Sequence, residues 1–424
     1  MIHHYLLGWL LLFMLISFLV LRSKNPKMPV WAFMSFLAFM SVIGGLVGVD
    51  EIPAVIDLNV IFFLIGMFSI VALAESSGLL GLISYWFITR VKSTYGILIA
   101  SSLVFGLMAS FAVNDTIAVM GPPIVYVISK ATGISLEALL LVLAFSITIG
   151  SVTTPMGNPQ NVLISISSGM KAPFISFVTY LFIPTLINLI VTPLIVSFIE
   201  GIPRKKLELG LIAEESLKNR KEAIIATVSL VSVIFIMITN DILRLESKPH
   251  IEEIGFIPFL VASAMYFLVD EPRKIIKEID WGTIMFFITM FIAMQGIWNA
   301  GVAGEIISVF LKSKPSQAIE PFAISAISIL LSQLLSNVPF VKLFVTYMST
   351  LGYTGNDVKA WISLAMSSTI AGNLTLFGAA SNIIILEMIE SRYNFTISFK
   401  KFFKIGVVVT AINLTVYLLF IYLL

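Results

Sequence analysis

A 31-residue pattern occurs twice in this chain. Asp57 to Phe87, laid over Asp280 to Phe310 at an offset of 223, matches at ten of 31 positions, among them Asp57/Asp280, Met67/Met290, Gly78/Gly301 and Gly81/Gly304. The same offset pairs Asn114 with Asn337, and an offset of 221 pairs Thr148/Thr369, Thr154/Thr375, Gly157/Gly378 and Asn161/Asn382. Two apolar helices share Phe, Ile and Met by composition alone. Paired asparagines and glycines are harder to obtain that way, so the chain must fold as two copies of one unit.

What kind of unit follows from composition. Of 424 residues, 58% are hydrophobic and 12% charged, far from the balance of a soluble domain. Repeated apolar stretches of about 17 to 25 residues suit helices crossing a hydrocarbon core of about 30 Å, not the short alternating strands of a barrel. The expected class is an all-α polytopic membrane protein, multi-pass in the cell membrane with the lipid bilayer as its solvent. Tyr5 to Leu21 follows only Met-Ile-His-His, without a basic region or a cleavage site, and reads as a retained helix. There is no cysteine, and the three histidines (His3, His4, His250) show no zinc-binding spacing. No nucleophile with a paired base stands out, so an enzyme is not expected. A net charge of +2, with basic residues clustered in loops, gives no sign of nucleic acid.

Ten spans are predicted, near residues 4 to 21, 29 to 48, 57 to 75, 136 to 169, 174 to 199, 222 to 241, 252 to 269, 280 to 298, 357 to 390 and 399 to 424. Between the third and fourth lie an amphiphilic piece, Gly78 to Lys92, and two apolar arms, Tyr95 to Val113 and Ile117 to Ser129. The order recurs at Gly301 to Lys314, Ile319 to Leu335 and Pro339 to Thr350. Each pair of arms meets at a polar tip, Asn114-Asp115-Thr116 or Ser336-Asn337, with no loop long enough to reach water comfortably. Re-entrant hairpins, about 94 to 132 and about 318 to 351, are the reading, because non-helical backbone at membrane depth must be buried in protein or line a cavity. Two full spans joined by a tight turn are the alternative.

With the amino terminus outside, 19 of the 26 Lys and Arg residues fall on the cytoplasmic side, as the positive-inside rule asks. Gly78 to Lys92 should then lie along the interface, since letting it cross would throw Arg204 to Lys221 outside. Each half makes five crossings, an odd number, so the second copy is inserted upside down. The expected plan is two inverted repeats, 1 to 200 and 222 to 424, joined by a cytoplasmic linker at 201 to 221, with both termini outside. Secondary transporters recurrently use this plan, with the site where the repeats meet.

Chemistry concentrates where helices should break. Ser151-Val152-Thr153-Thr154-Pro155-Met156-Gly157-Asn158-Pro159-Gln160-Asn161 puts two prolines and a glycine into the span at 136 to 169. Proline removes a donor and clashes with the preceding turn, which frees carbonyls, and the next half-helix begins with free amides. Carbonyls suit a cation; a helix amino terminus suits an anion. The counterpart in the span at 357 to 390, Gly372-Asn373-Leu374-Thr375-Leu376-Phe377-Gly378-Ala379-Ala380-Ser381-Asn382, lacks proline but keeps glycine and asparagine. A kinked helix with packing glycines is the alternative for either. At the tips, Asn114 and Asn337 can offer a carbonyl oxygen to a cation and amide hydrogens to an anion, or can cap the second arm. Asp115 could take up a proton or ligate a cation, and Lys342 could attract an anion or stand in for a cation, unless the two pair or Lys342 snorkels outward.

These tips and breaks resemble the ion transporter superfamily, which includes divalent anion/sodium symporters, metal-citrate symporters, arsenite efflux permeases and sodium/proton antiporters. Asn114-Asp115-Thr116 followed by Gly121-Pro122-Pro123 is most similar to the arsenite permease and citrate branches, and Ser336-Asn337-Val338-Pro339 to the second tip. The resemblance covers nearly the whole chain. It implies that Asn114, Asp115 and Asn337 at the tips, with Gly157, Asn161, Gly378 and Asn382 in the breaks, would coordinate ions and substrate. Thr116, Ser336, Thr154, Asn158, Thr375, Ser381 and Lys342, polar residues of the same tips, breaks and second hairpin, complete the set expected to bind. Sodium would sit at Asn114, Asn161, Asn337 and Asn382. Hairpins and breaks would move as a transport domain against a scaffold that could carry a homodimer interface. Two departures, Val113 in place of serine and Val338-Pro339 in place of Thr-Ala, bear on dicarboxylate selectivity and on the sodium sites.

The expected function is therefore secondary active transport of a small anion, an inorganic oxyanion or a carboxylate, by alternating access. Sodium or a proton would be the coupling ion, and no other cofactor is called for. A proton-coupled arsenite-type efflux permease and a sodium/proton antiporter are alternatives within transport. An ion channel is the alternative outside it, and would need a continuous polar pore.

Overall fold

The computed structural model describes residues 2–24, 28–207 and 217–424; Lys27 and residues 208 to 216 of the expected linker lie outside the described residues. Among the described residues there are twenty α-helices, a few short 3-10 turns and no strand. The first half comprises α1 (Ile2–Lys24), α2 (Val30–Ile43), α3 (Ile52–Val55), α4 (Leu58–Ser76), α5 (Leu79–Ile88), α6 (Thr94–Phe111), α7 (Asn114–Thr132), α8 (Leu136–Ser151), α9 (Pro159–Ser167) and α10 (Pro173–Ile199). The second comprises α11 (Arg220–Leu245), α12 (Phe256–Tyr266), α13 (Pro272–Glu278), α14 (Trp281–Asn299), α15 (Val302–Phe310), α16 (Glu320–Leu335), α17 (Asn337–Thr350), α18 (Val358–Ile370), α19 (Ala380–Tyr393) and α20 (Phe399–Leu423).

Seven of these, α1, α4, α6, α10, α11, α14 and α20, are long and apolar enough to cross a membrane. The expected spans at 29 to 48 and 252 to 269 are shorter as helices. Gly45, at φ 72°, turns the chain just past the end of α2. Before α12, Asn59 accepts from the Gly255 N–H and donates to Glu253, which pins that segment to the start of α4 instead of letting it wind.

The residues matched across the repeat are the fold's punctuation. Asp57 accepts from the Asn59 and Val60 N–H groups and starts α4, while Asp280 accepts from the Thr283 N–H at 3.0 Å and starts α14. Such caps contribute about 1 kcal/mol each. Gly78 and Gly301 both sit at φ 82°, a left-handed turn that glycine enters without a Cβ penalty, and they separate α4 from α5 and α14 from α15. Gly81 and Gly304 fall inside α5 and α15.

α8 and α18 form the centre. Every residue from Ala138 to Ser151 is buried, as is every residue from Ala360 to Ile370. α8 meets α6 backbone to backbone, because a Cβ on Gly150 would stand 1.9 Å from the Gly106 carbonyl oxygen. α1 and α11 are each only 28% buried over their most apolar windows, so their outer faces belong to lipid. The end of α4 lies beside α13, and the Lys218 N–H donates to the Ser77 carbonyl at 2.9 Å. α4 therefore finishes at the end of the molecule where α11 and α14 begin, and α4 and α14 run in opposite directions.

Candidate functional site

Both hairpin tips turn on a residue with positive φ. Val113 (φ 58°) joins α6 to α7 and Ser336 (φ 66°) joins α16 to α17, again 223 residues apart. Left-handed backbone costs a non-glycine residue roughly 1–3 kcal/mol, and most of all a β-branched one, so surrounding contacts must impose it. The turn leaves Asn114 and Asn337 as first helical residues rather than caps, each 7% exposed. The Oδ1 atom of each is buried without a hydrogen-bond partner. Asp115, half-buried, occupies the first turn of α7, where the helix dipole favours a negative charge.

Both long helices break. The first stops at Ser151 and resumes at Pro159; the second stops at Ile370 and resumes at Ala380 although no proline is present. Asn161 donates from Nδ2 to the carbonyls of Ser151 (3.0 Å) and Thr154 (3.1 Å), and Asn382 donates to those of Gly372 (2.9 Å) and Thr375 (3.4 Å). Asn158 caps α9 through the Asn161 N–H and also donates to the Ser151 carbonyl at 3.1 Å. Glycine admits this folding-back, since a Cβ on Gly157 would lie 2.2 Å from the Ser151 oxygen.

Each hairpin is tied to its own break by one residue of its first arm. Ser110 donates to the Gly150 carbonyl at 2.7 Å, and its own carbonyl accepts from the Thr154 hydroxyl. Gln333, 223 positions later, donates to the Ala371 carbonyl at 2.7 Å and accepts from the Thr375 hydroxyl at 2.8 Å. Thr369 then joins the two breaks, accepting from Asn158 (3.2 Å) and Gln160 (3.3 Å) and donating to Asn161 Oδ1 (3.4 Å).

The tips come together on one cavity of about 550 Å³, whose wall includes Asn114, Asp115, Ser336 and Asn337. Arg22, Asp280 and Glu387 also line it, at the end of the molecule where α14 begins. A second cavity of about 540 Å³ lies where α4 begins, at the opposite end; Asp57, Asn59, Arg244, Glu252 and Glu253 line it, and no tip residue does. The two are called here the first and second vestibules.

A model of the family described as citrate transporter matches residues 10–361. The chain belongs to the citrate transporter family. It is a multi-pass transmembrane transporter and not an enzyme. Over 394 residues it is 25% identical to an uncharacterized transporter of Mycobacterium tuberculosis strain H37Rv, covering 89% of this chain and 90% of that one. The silicon efflux transporter LSI3 of Oryza sativa subsp. japonica is 23% identical over 410 residues, covering 82% and 83%. The crystal structure of the YdaH transporter of Alcanivorax borkumensis, described as having an unusual topology, superposes with a TM-score of 0.54 at 10% identity, covering 99% of this chain and 98% of that one. That likeness shows a shared fold.

In this citrate transporter family member, then, four of the residues expected to bind, Asn114, Asp115, Ser336 and Asn337, face one vestibule. Thr154, Gly157, Asn158, Asn161, Gly378, Ser381 and Asn382 are buried in the breaks, with Thr375 half-buried beside them. Thr116 is half-buried and does not line the vestibule. Lys342 is also absent from its wall; Nζ lies 5.2 Å from the Phe291 ring centroid, and the charge it feels is that of Asp57. Sequence reasoning missed Arg22, Gln160 and Glu387 on the vestibule wall, Gln333 at the second break and Thr369 between the breaks. For Thr369 the signal existed, in its pairing with Thr148. For Arg22 it lay in a match to Arg244 at an offset of 222.

Proposed function

We propose that the protein is a secondary active transporter that carries a small anion, an inorganic oxyanion or a carboxylate, by alternating access, coupled to sodium or protons. The observation that carries this reading is that the two vestibules are built from corresponding residues. Nine of the eleven residues lining the second stand 221 to 223 positions from a residue lining the first, among them Arg22/Arg244, Trp31/Ile254, Asp57/Asp280 and Ile166/Glu387. Equivalent surfaces at opposite ends are what inverted repeats produce, and hairpin tips that line only one of the two suit one half of an alternating cycle.

The antiparallel run of α4 and α14 supports the same division into repeats 1 to 200 and 222 to 424, each with a re-entrant hairpin and a broken helix. The positive-inside count favours a cytoplasmic linker at 201 to 221 and both termini outside, which makes the tip-lined vestibule cytoplasmic. An anion would be held by the amino-terminal ends of α7 and α17, with Arg22 opposite. A sodium ion would answer the buried, unpartnered oxygens of Asn114, Thr153, Asn337, Asn373, Ser381 and Asn382, since such atoms normally have a donor or an ion. A second reading, proton-coupled efflux, is favoured by the Asp115 carboxyl on a tip and by a vestibule with three carboxylates to one arginine. A relative named as a silicon efflux transporter is consistent with it.

Proteoliposomes under imposed sodium or proton gradients, offered arsenite, silicic acid, phosphate, citrate and succinate, test the reading. Gradient-driven flux that Asn114→Ala and Asn337→Ala abolish is expected. Flux driven by neither gradient, or untouched by both substitutions, would sink it; conductance without saturation would favour a channel.

A further inference from the structure

We infer that Arg22 and Arg244 are a matched pair of latches, each of which clasps the connection beyond one broken helix when its own vestibule closes. The inference rests on the alternating-access reading above and adds to it the residues that hold each closed state. Arg22 lies in the last turn of α1 and Arg244 in the last turn of α11, at an offset of 222, and each lines its vestibule.

At the second vestibule the clasp is made. Arg244 Nη1 donates to the Met170 carbonyl at 3.3 Å, in the connection between α9 and α10, directly after the first broken helix. That connection is pressed against the one between α17 and α18, since a Cβ on Gly355 would stand 1.9 Å from the Gly169 oxygen. Nearly a turn before Arg244, Asp241 is 2% exposed and accepts from the Ile175 N–H at 2.9 Å, which caps α10 in place of Ala172, a residue with no acceptor side chain. α11 thus grips both ends of a short segment that must move if the first broken helix moves.

At the first vestibule the clasp is open. Arg22 Nε is buried without a hydrogen-bond partner, and the guanidinium lies within electrostatic reach of Glu387 and Asp115. The segment equivalent to the one Arg244 holds is residues 394 to 398, between α19 and α20, and no hydrogen bond joins Arg22 to it among the described residues. Closing this vestibule would bring the carbonyls of that segment to a guanidinium already positioned to donate, while opening the other would free Met170 from Arg244. The two ends are not equal. Leu19 stands where α11 has Asp241, so the second vestibule has the stronger closure.

The chain's lack of cysteine makes the test direct. Reporter cysteines, Ile166→Cys in the second vestibule and Ile384→Cys in the first, are labelled in proteoliposomes with a membrane-impermeant maleimide. A hydrogen bond from a charged donor is worth roughly tenfold or more in an equilibrium. Arg244→Gln should therefore raise labelling at the second vestibule roughly tenfold and lower it at the first. Arg22→Gln, added in that background, should reverse the shift, and Arg244→Lys, which keeps a cationic donor, should stay near the parent. Single substitutions that move both reporters the same way, or move neither while the parent's reporters still respond reciprocally to the coupling ion, would overturn the latches alone. Reporters that never respond reciprocally in the parent would overturn the alternating-access reading, and the latches with it.

Discussion

Asn161 and Asn382 do the same work 221 residues apart: each turns its side-chain amide back onto carbonyls of its own broken helix, three for Asn161 and two for Asn382, three or more residues beyond the reach of a helical bond. A helix interrupted at membrane depth leaves carbonyls without donors, and each left bare costs several kcal/mol in a hydrocarbon surrounding. The asparagines hold the breaks open in a defined shape.

Asn161→Ala should therefore damage stability and transport together. The substitution removes bonds to the Ser151, Val152 and Thr154 carbonyls at a fully buried position; Asn158 and the Gly157 N–H still serve the first and last, and the Val152 carbonyl is left without a donor, a cost of about 1–3 kcal/mol. Asn382→Ala should cost less, because its second bond is 3.4 Å long. The order is checked by thermal unfolding in detergent alongside uptake rates. Equal loss from the two, or greater loss from Asn382→Ala, would contradict this account of how the breaks are held.

The glycines of the two breaks should differ in tolerance. A methyl at Gly157 would meet the Ser151 oxygen at 2.2 Å, whereas at Gly378 the nearest atoms, Gly372 O, Thr375 O and Thr375 Oγ1, stand at 3.1 Å. Gly157→Ala is expected to abolish transport and reduce the folded yield. Gly378→Ala should leave a folded protein with reduced rate, since a shift of a few tenths of an ångström relieves it. Size-exclusion profiles and uptake by the two variants decide the matter.

Much of this was legible because the repeat is written in residues with few substitutes. Asp57/Asp280 caps, Gly78/Gly301 left-handed turns and Asn161/Asn382 carbonyl donors are positions where backbone geometry dictates the side chain, so they match while the apolar faces around them drift. Gln333 was not legible, because its counterpart is Ser110: in the first half the serine hydroxyl donates to a carbonyl and its main-chain carbonyl accepts from a threonine hydroxyl, while in the second the Gln333 side-chain amide does both. Arg22 looked like one more cytoplasmic charge, since nothing in a linear count separates an arginine that sets topology from one that lines a cavity. The second break was harder to foresee than the first, because Gly372 and Gly378 permit a break that Pro155 and Pro159 enforce.

Acid should weaken the base of the second hairpin. Burial alone would raise the Asp357 carboxyl, but hydrogen bonds from the Lys314 ammonium and the Thr354 N–H outweigh it and hold the group below its ordinary value. A carboxyl depressed on folding stabilises the protein above its unfolded pKa of about 3.9, and the contribution disappears as pH falls through the folded value. Below about pH 4 the parent should lose thermal stability faster than Asp357→Asn, which has no charge to lose. Parallel pH profiles would remove this pair from the account.

Thr369 offers the sharpest test of communication between the repeats. Its hydroxyl accepts from Asn158 and Gln160 of the first break and donates to Asn161 Oδ1, while its own helix, α18, leads into the second. Thr369→Val keeps the shape and removes the hydroxyl, leaving three polar groups of one break without their bridge. If cations bound near the two breaks act together, the substitution should lower the Hill coefficient of the cation dependence toward one, and Thr369→Ser should restore it. Simple loss of packing would instead lower the amount of active protein and leave the coefficient where it was. Uptake measured against cation concentration separates the two outcomes, and an unchanged coefficient with reduced maximal rate would confine Thr369 to a structural part.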